Sequence, residues 1–177
     1  MAETVGRKKR FYWLEGVTRA EVERNLADTK PSVFRRRGPR RLLVAVELGL
    51  IAMLAASVFL PHPKLASYLQ MGALAASILA YLRLRGAVRL VADAPDELLD
   101  ERQIAARNAA YVVAYRLLAV AALFALGLFM GLEKAGWSAG SLKGDSLVLS
   151  LGFPLLMLAG SLPSMVMAWK LPDEPET

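Results

Sequence analysis

The chain has 177 residues, 55% of them hydrophobic, with no cysteine, a formal net charge of +6 and a mean hydropathy of +0.38. These values exclude disulfides, thiolate sites and iron–sulfur clusters, and they are too apolar for an ordinary soluble domain of this length. The positive charge does not point to nucleic acid, because residues 1–41 hold 12 Lys/Arg against 5 acids whereas the remainder holds 10 against 11.

Residues 1–41 read as a basic cytoplasmic tail. The Phe11, Tyr12 and Trp13 triplet follows a Gly-Arg-Lys-Lys-Arg run. Aromatics beside cations suit anchoring at the headgroup level or on the chain's own surface, and they equally suit docking of a partner protein. Thr18 and Glu21 have capping-box spacing, with Val17 and Val22 at the positions of a hydrophobic staple. That pattern predicts a short amphipathic helix from Arg19 to about Ala27 with Val22 and Leu26 on one face. Pro31 and the Gly38-Pro39 pair mark the following stretch as a linker. Arg35, Arg36, Arg37, Arg40 and Arg41 then abut the first apolar block, as a topology anchor or as a site for anionic lipid headgroups. No aromatic interleaves with them, so nucleic acid is not an expected partner.

Four blocks approach the ~20 residues needed to cross a hydrocarbon core: Leu42–Leu60, Leu65–Leu82, Ala109–Leu132 and Ser146–Trp169. The polar stretch ahead of the first block lacks the layout of a secretory signal, so that block is the expected insertion signal. Outside the blocks, 18 Lys/Arg fall on the side of the tail, the 83–108 connection and Lys170, against 3 on the other side. Positive charge stays in the cytoplasm, which predicts four spans with both termini inside. The expected fold is all-α: an integral membrane four-helix bundle over 42–169, with 170–177 as an acidic cytoplasmic C-terminal tail. The sole histidine, His62, stands in a Pro-His-Pro-Lys turn and makes no metal site. No metal, cofactor or catalytic constellation is expected.

The third helix is expected to start at Pro95, with Asp96 and Glu97 complementing its dipole, and to run unbroken to Leu132, projecting about 57 Å from cytoplasm into the bilayer. Arg116 lies within its apolar part. Glu47 lies in the first span at a similar depth, about 7–8 Å from the cytoplasmic edge. Charged groups inside spans usually pair with each other, so a Glu47–Arg116 ion pair is the expected arrangement, with an ion pathway or separate snorkelling as alternatives. Small residues at four-residue spacing mark close helix contacts: Gly72, Ala76 and Ala80, then Gly127 and Gly131, then Gly160, Ser164 and Ala168. Pro154 and Pro163 predict a kinked or locally unwound last span.

Residues Leu98–Leu118 resemble the Asp-Glu-Arg segment that precedes a late span in small bacterial membrane proteins of unassigned function. The resemblance covers about 20 residues and carries Asp100, Glu101 and Arg102 as a juxtamembrane signature. It implies a bacterial cytoplasmic (inner) membrane location and no reaction. The functional expectation is a non-enzymatic accessory or scaffold subunit that binds a protein partner, or its own copies, through the tail and the juxtamembrane helix. Anionic lipids are expected as surroundings. The alternative is a small oligomeric transporter or channel using Glu47 as an intramembrane carboxylate. Because the chain has no cysteine, its orientation is directly testable with single-cysteine variants. An impermeant thiol reagent added to intact cells is expected to label Ser138→Cys and to leave Ser32→Cys unlabelled until the membrane is opened.

Overall fold

The computed structural model describes residues 11–12, 17–27, 34, 36–60, 62–134 and 144–171. They are almost wholly helical: α1 is Arg19–Ala27, α2 Arg37–Ala56, α3 Pro63–Ala87, α4 Glu101–Lys134 and α5 Gly144–Lys170. A minimal antiparallel pair precedes α1, with Phe11 opposite Thr18 and Tyr12 opposite Val17.

α1 starts where the Thr18 hydroxyl accepts the Glu21 N–H at 3.3 Å, which satisfies one of the free donors of the first turn. A nine-residue helix is marginal alone in water, and α1 does not stand alone. Val22 is fully buried and Leu26 partly so, against Leu90, Ala94, Leu98 and Leu99.

α2 begins at Arg37, not after the Gly38-Pro39 pair. Proline is tolerated in a first turn because the N–H it lacks would have no helical partner there. Its buried positions Arg40, Val44, Glu47, Ile51 and Leu54 recur at spacings of three and four, forming one inward stripe. The helix ends at Ala56, and a 3₁₀ turn over Ser57–Phe59 follows, with the Ser57 hydroxyl donating to the Leu54 carbonyl at 2.6 Å.

α3 opens on Pro63 and runs 25 residues to Ala87. It closes into a turn in which Arg89 (φ 54°) and Leu90 (φ 58°) are both left-handed, at about 1–2 kcal/mol each for residues with a Cβ. The Leu90 N–H reaches the Arg85 carbonyl at 3.0 Å, and Arg85 Nε pairs with Asp93 at 2.7 Å across the turn.

The expected helix from Pro95 does not form as one piece. Asp96–Leu98 make a 3₁₀ turn, the chain extends at Leu99, and α4 starts at Glu101. The reason is a second capping box. Asp100 Oδ1 accepts the Gln103 N–H at 2.7 Å, and Gln103 Oε1 accepts the Asp100 N–H at 3.2 Å, so Asp100 is the cap itself. The break turns Leu98 and Leu99 toward α1. α4 then runs 34 residues, about 51 Å at 1.5 Å per residue.

α5 is continuous across Pro154 and Pro163, with no local unwinding. It is the central helix, packing against α2 and α4 and also touching α3, while α2 packs on α3. Of its apolar window 44% is buried, against 11% for α3 and 6% for α4. The main core gathers Leu84, Val88, Val91, Ala110, Met165 and Ala168 at the α1 end.

Three helical stretches among the described residues are long and apolar enough to cross a membrane: Lys64–Ala87, Glu101–Leu132 and Leu151–Lys170. α2 differs because its helical part holds Arg40, Arg41 and Glu47 and its apolar stretch passes into a 3₁₀ turn after Ala56. Replacing Val22 by Ala removes about two methylenes from a buried site, and is expected to weaken α1 docking by ~1.5 kcal/mol. Limited proteolysis at Arg24 is expected to quicken roughly tenfold on that account.

Candidate functional site

Among the described residues Glu47 is the most deeply placed ionisable one, with none of its surface exposed. It sits on the inward stripe of α2, and Ser77 in α3, also fully buried, donates its hydroxyl to Glu47 Oε1 at 2.8 Å. Oε2 has no hydrogen-bond partner among the described residues. Leaving a buried carboxyl oxygen unmatched is costly, so this position is under chemical constraint.

The expected partner of Glu47 is not there. Arg116 is exposed on α4, and among the described residues it makes no ion pair with Glu47. The cause lies in helix order. α5 packs between α2 and α4, and the inward face of α4 is the one carrying Ala110 and Ala114, about 200° around the helix from Arg116. Ser77 itself was detectable in the sequence, because Ser77, Tyr81 and Arg85 form a polar stripe at four-residue spacing on an apolar helix.

The juxtamembrane triplet resolves into separate roles. Asp100 caps α4, while Glu101 and Arg102 are exposed in its first turn. Beside them, Arg107 donates to the Ala94 carbonyl and to Asp96. Tyr111 donates its hydroxyl to the Ala92 carbonyl at 3.0 Å and stacks on Tyr115 with centroids 5.9 Å apart. These groups border an open cleft of about 380 Å³ lined by Pro95, Asp96, Arg107, Asn108 and Tyr111.

The arginines ahead of the first apolar block divide. Arg40 is 3% exposed and donates to the Leu171 carbonyl, so it ties the start of α2 to the end of α5 and does not face a headgroup. Arg41 lies over the Trp169 ring at 4.6 Å. Arg36 and Arg37 are exposed. Arg35 and Trp13 lie outside the described residues, and for Phe11 and Tyr12 only the backbone pairing is described.

The small-residue positions also divide. Ser164 and Ala168 are buried in α5, and Ala76 is half-buried. A Cβ added at Gly72, Gly127, Gly131 or Gly160 would meet nothing within 4 Å. Among the described residues nothing stands against these glycines, so no close helix contact is formed at them there. On α3 the buried face is Ala73, Ser77 and Leu84 instead, one position round from Gly72 and Ala76.

Among the described residues, no group of three His, Cys, Asp or Glu lies close enough to hold a metal ion. Comparison with known proteins finds no family model that matches the chain, and no similar curated protein or solved structure.

A double-mutant cycle on thermal unfolding in detergent tests the reassignment of Glu47. Glu47→Gln with Ser77→Ala is expected to show coupling of about 1 kcal/mol, as for a buried hydrogen bond. Glu47→Gln with Arg116→Gln is expected to be additive within about 0.3 kcal/mol, as for sites with no shared partner.

Proposed function

We propose that the chain is a non-enzymatic accessory or scaffold subunit of the bacterial cytoplasmic membrane, with four spans and both termini inside. It binds a protein partner through its cytoplasmic tail and the start of α4. The observation that supports this reading most is the docking of α1. The tail is folded onto the 88–99 segment through Val22 and Leu26, beside the capped start of α4 and the cleft at Arg107 and Tyr111. The backbone pairing of Phe11 with Thr18 and of Tyr12 with Val17 joins the start of the aromatic triplet to the residues just ahead of α1. The three apolar helices and the 18-to-3 charge asymmetry support the membrane location and the orientation. On this reading α2 is the fourth span, its apolar stretch carried on by the 3₁₀ turn at Ser57–Phe59.

A second reading has one specific observation in its favour, the buried Glu47 with an unpartnered oxygen between α2 and α3. In a small transporter that carboxyl would bind and release the coupling ion, and Glu47→Gln would abolish transport.

The test is affinity purification in mild detergent with mass spectrometry of what co-elutes. Three samples are compared: the full chain, the chain lacking residues 1–30, and the full chain with Phe11, Tyr12 and Trp13 changed to Ala. A stoichiometric partner lost from both variants is expected. The triple substitution keeps α1, so its result does not depend on the fold of the truncated protein. A homo-oligomer of unchanged composition in all three samples would overturn the scaffold reading and favour the one centred on Glu47.

A further inference from the structure

Two adjacent arginines at the start of α2 are used in opposite ways. Side chains one residue apart on a helix diverge by about 100°, so Arg40 and Arg41 cannot share a partner. Arg40 turns inward to the Leu171 carbonyl. Arg41 instead lies over Trp169, its guanidinium carbon 4.6 Å from the ring centroid. A cation–π contact accepts none of the guanidinium's five N–H donors. Among the described residues no carboxylate or carbonyl takes them, and its Nε is buried without a partner. Trp169 is half exposed, and Lys170 beside it is exposed. The exposed Arg36 and Arg37 in the turn before add positive potential.

We infer that Arg41, Trp169 and Lys170 form a seat for the phosphate headgroup of an anionic membrane lipid, where the start of α2 meets the end of α5. The inference rests on the reading that this end of the chain faces the anionic leaflet. With Nε buried, the terminal N–H groups of the guanidinium are the ones left for an acceptor offering two oxygens, as a phosphate does. The indole places that acceptor at the headgroup level. Below Arg41 on the same face of the helix, four and seven residues on, Ala45 and Leu48 are exposed, Leu48 by 48%. They offer an apolar track for acyl chains, which a lipid would use and free phosphate would not. The seat also separates the two arginines by role: Arg40 holds the helices together and Arg41 receives the lipid.

The full-length protein is purified in detergent and titrated with phosphatidylglycerol or phosphatidylcholine, and retained lipid is counted by native mass spectrometry. Preferential retention of phosphatidylglycerol is expected, weakening about fivefold in Arg41→Gln, as for loss of one basic residue at a membrane surface. Trp169→Leu is expected to weaken it as well, since the guanidinium loses its support. Arg40→Gln is expected to lower the unfolding temperature while keeping the preference for the anionic lipid. Equal retention by the wild type and Arg41→Gln would overturn the seat, as would displacement of the lipid by inorganic phosphate alone. A chain that stays soluble and monomeric without detergent would sink the membrane reading itself, an outcome distinct from loss of the seat in a chain that still requires detergent.

Discussion

The segment from Leu84 to Ala94 is the constraint on which the rest of the structure depends. Its backbone must leave α3 and reverse within a few residues, and it does so through left-handed Arg89 and Leu90, conformations that residues with a Cβ adopt only when their surroundings hold them there. The reversal splits the side chains between two clusters. Leu84, Val88, Val91 and Ala92 enter the main core with α4 and α5, while Leu90 and Ala94 face α1. The same segment offers its carbonyls to α4, since Tyr111 takes Ala92 and Arg107 takes Ala94. A local steric cost is thereby offset by burial on both sides, and the tail and α4 share one foundation.

Away from this segment the packing thins. α4 has only 6% of its apolar window buried, and large side chains such as Phe124 and Leu123 stand exposed along it. In water such a surface would be prohibitive. For helices long and apolar enough to lie in lipid it carries no penalty, and association then depends on close packing and interhelical hydrogen bonds. The Ser77–Glu47 bond joining α2 to α3 and the Arg40–Leu171 contact joining α2 to α5 are of that kind. The open space beside Gly127 and Gly131 fits the same picture, with α4 the least buried of the three apolar helices.

The proposed scaffold role and the proposed lipid seat lie at this same end. On those proposals α1 and the cleft at Arg107 would be its protein-facing part, and Arg41 with Trp169 its membrane-facing part. Arg40 lies between the two, holding the start of α2 against Leu171 at the end of α5.

The sequence by itself determined the local structure. Helix α1 was legible from the Thr18 cap and the Val22/Leu26 spacing, and the apolar stretches were legible from their length, because capping and helix periodicity act within a few residues. The cap at Asp100 was legible in principle, since Asp100 and Gln103 have capping-box spacing, although the acids from Asp96 onward resemble an equally good helix start. Only the tertiary structure decided which faces point inward. Apart from the Ser77, Tyr81 and Arg85 stripe, almost every position of such a helix is apolar or small, so no periodic contrast marks Ala73 as buried and Gly72 as exposed. It also decided that Glu47 meets Ser77 and not Arg116, because the partner of a buried charge depends on which helix lies between α2 and α4, and that is a long-range packing choice carried by no short stretch of sequence.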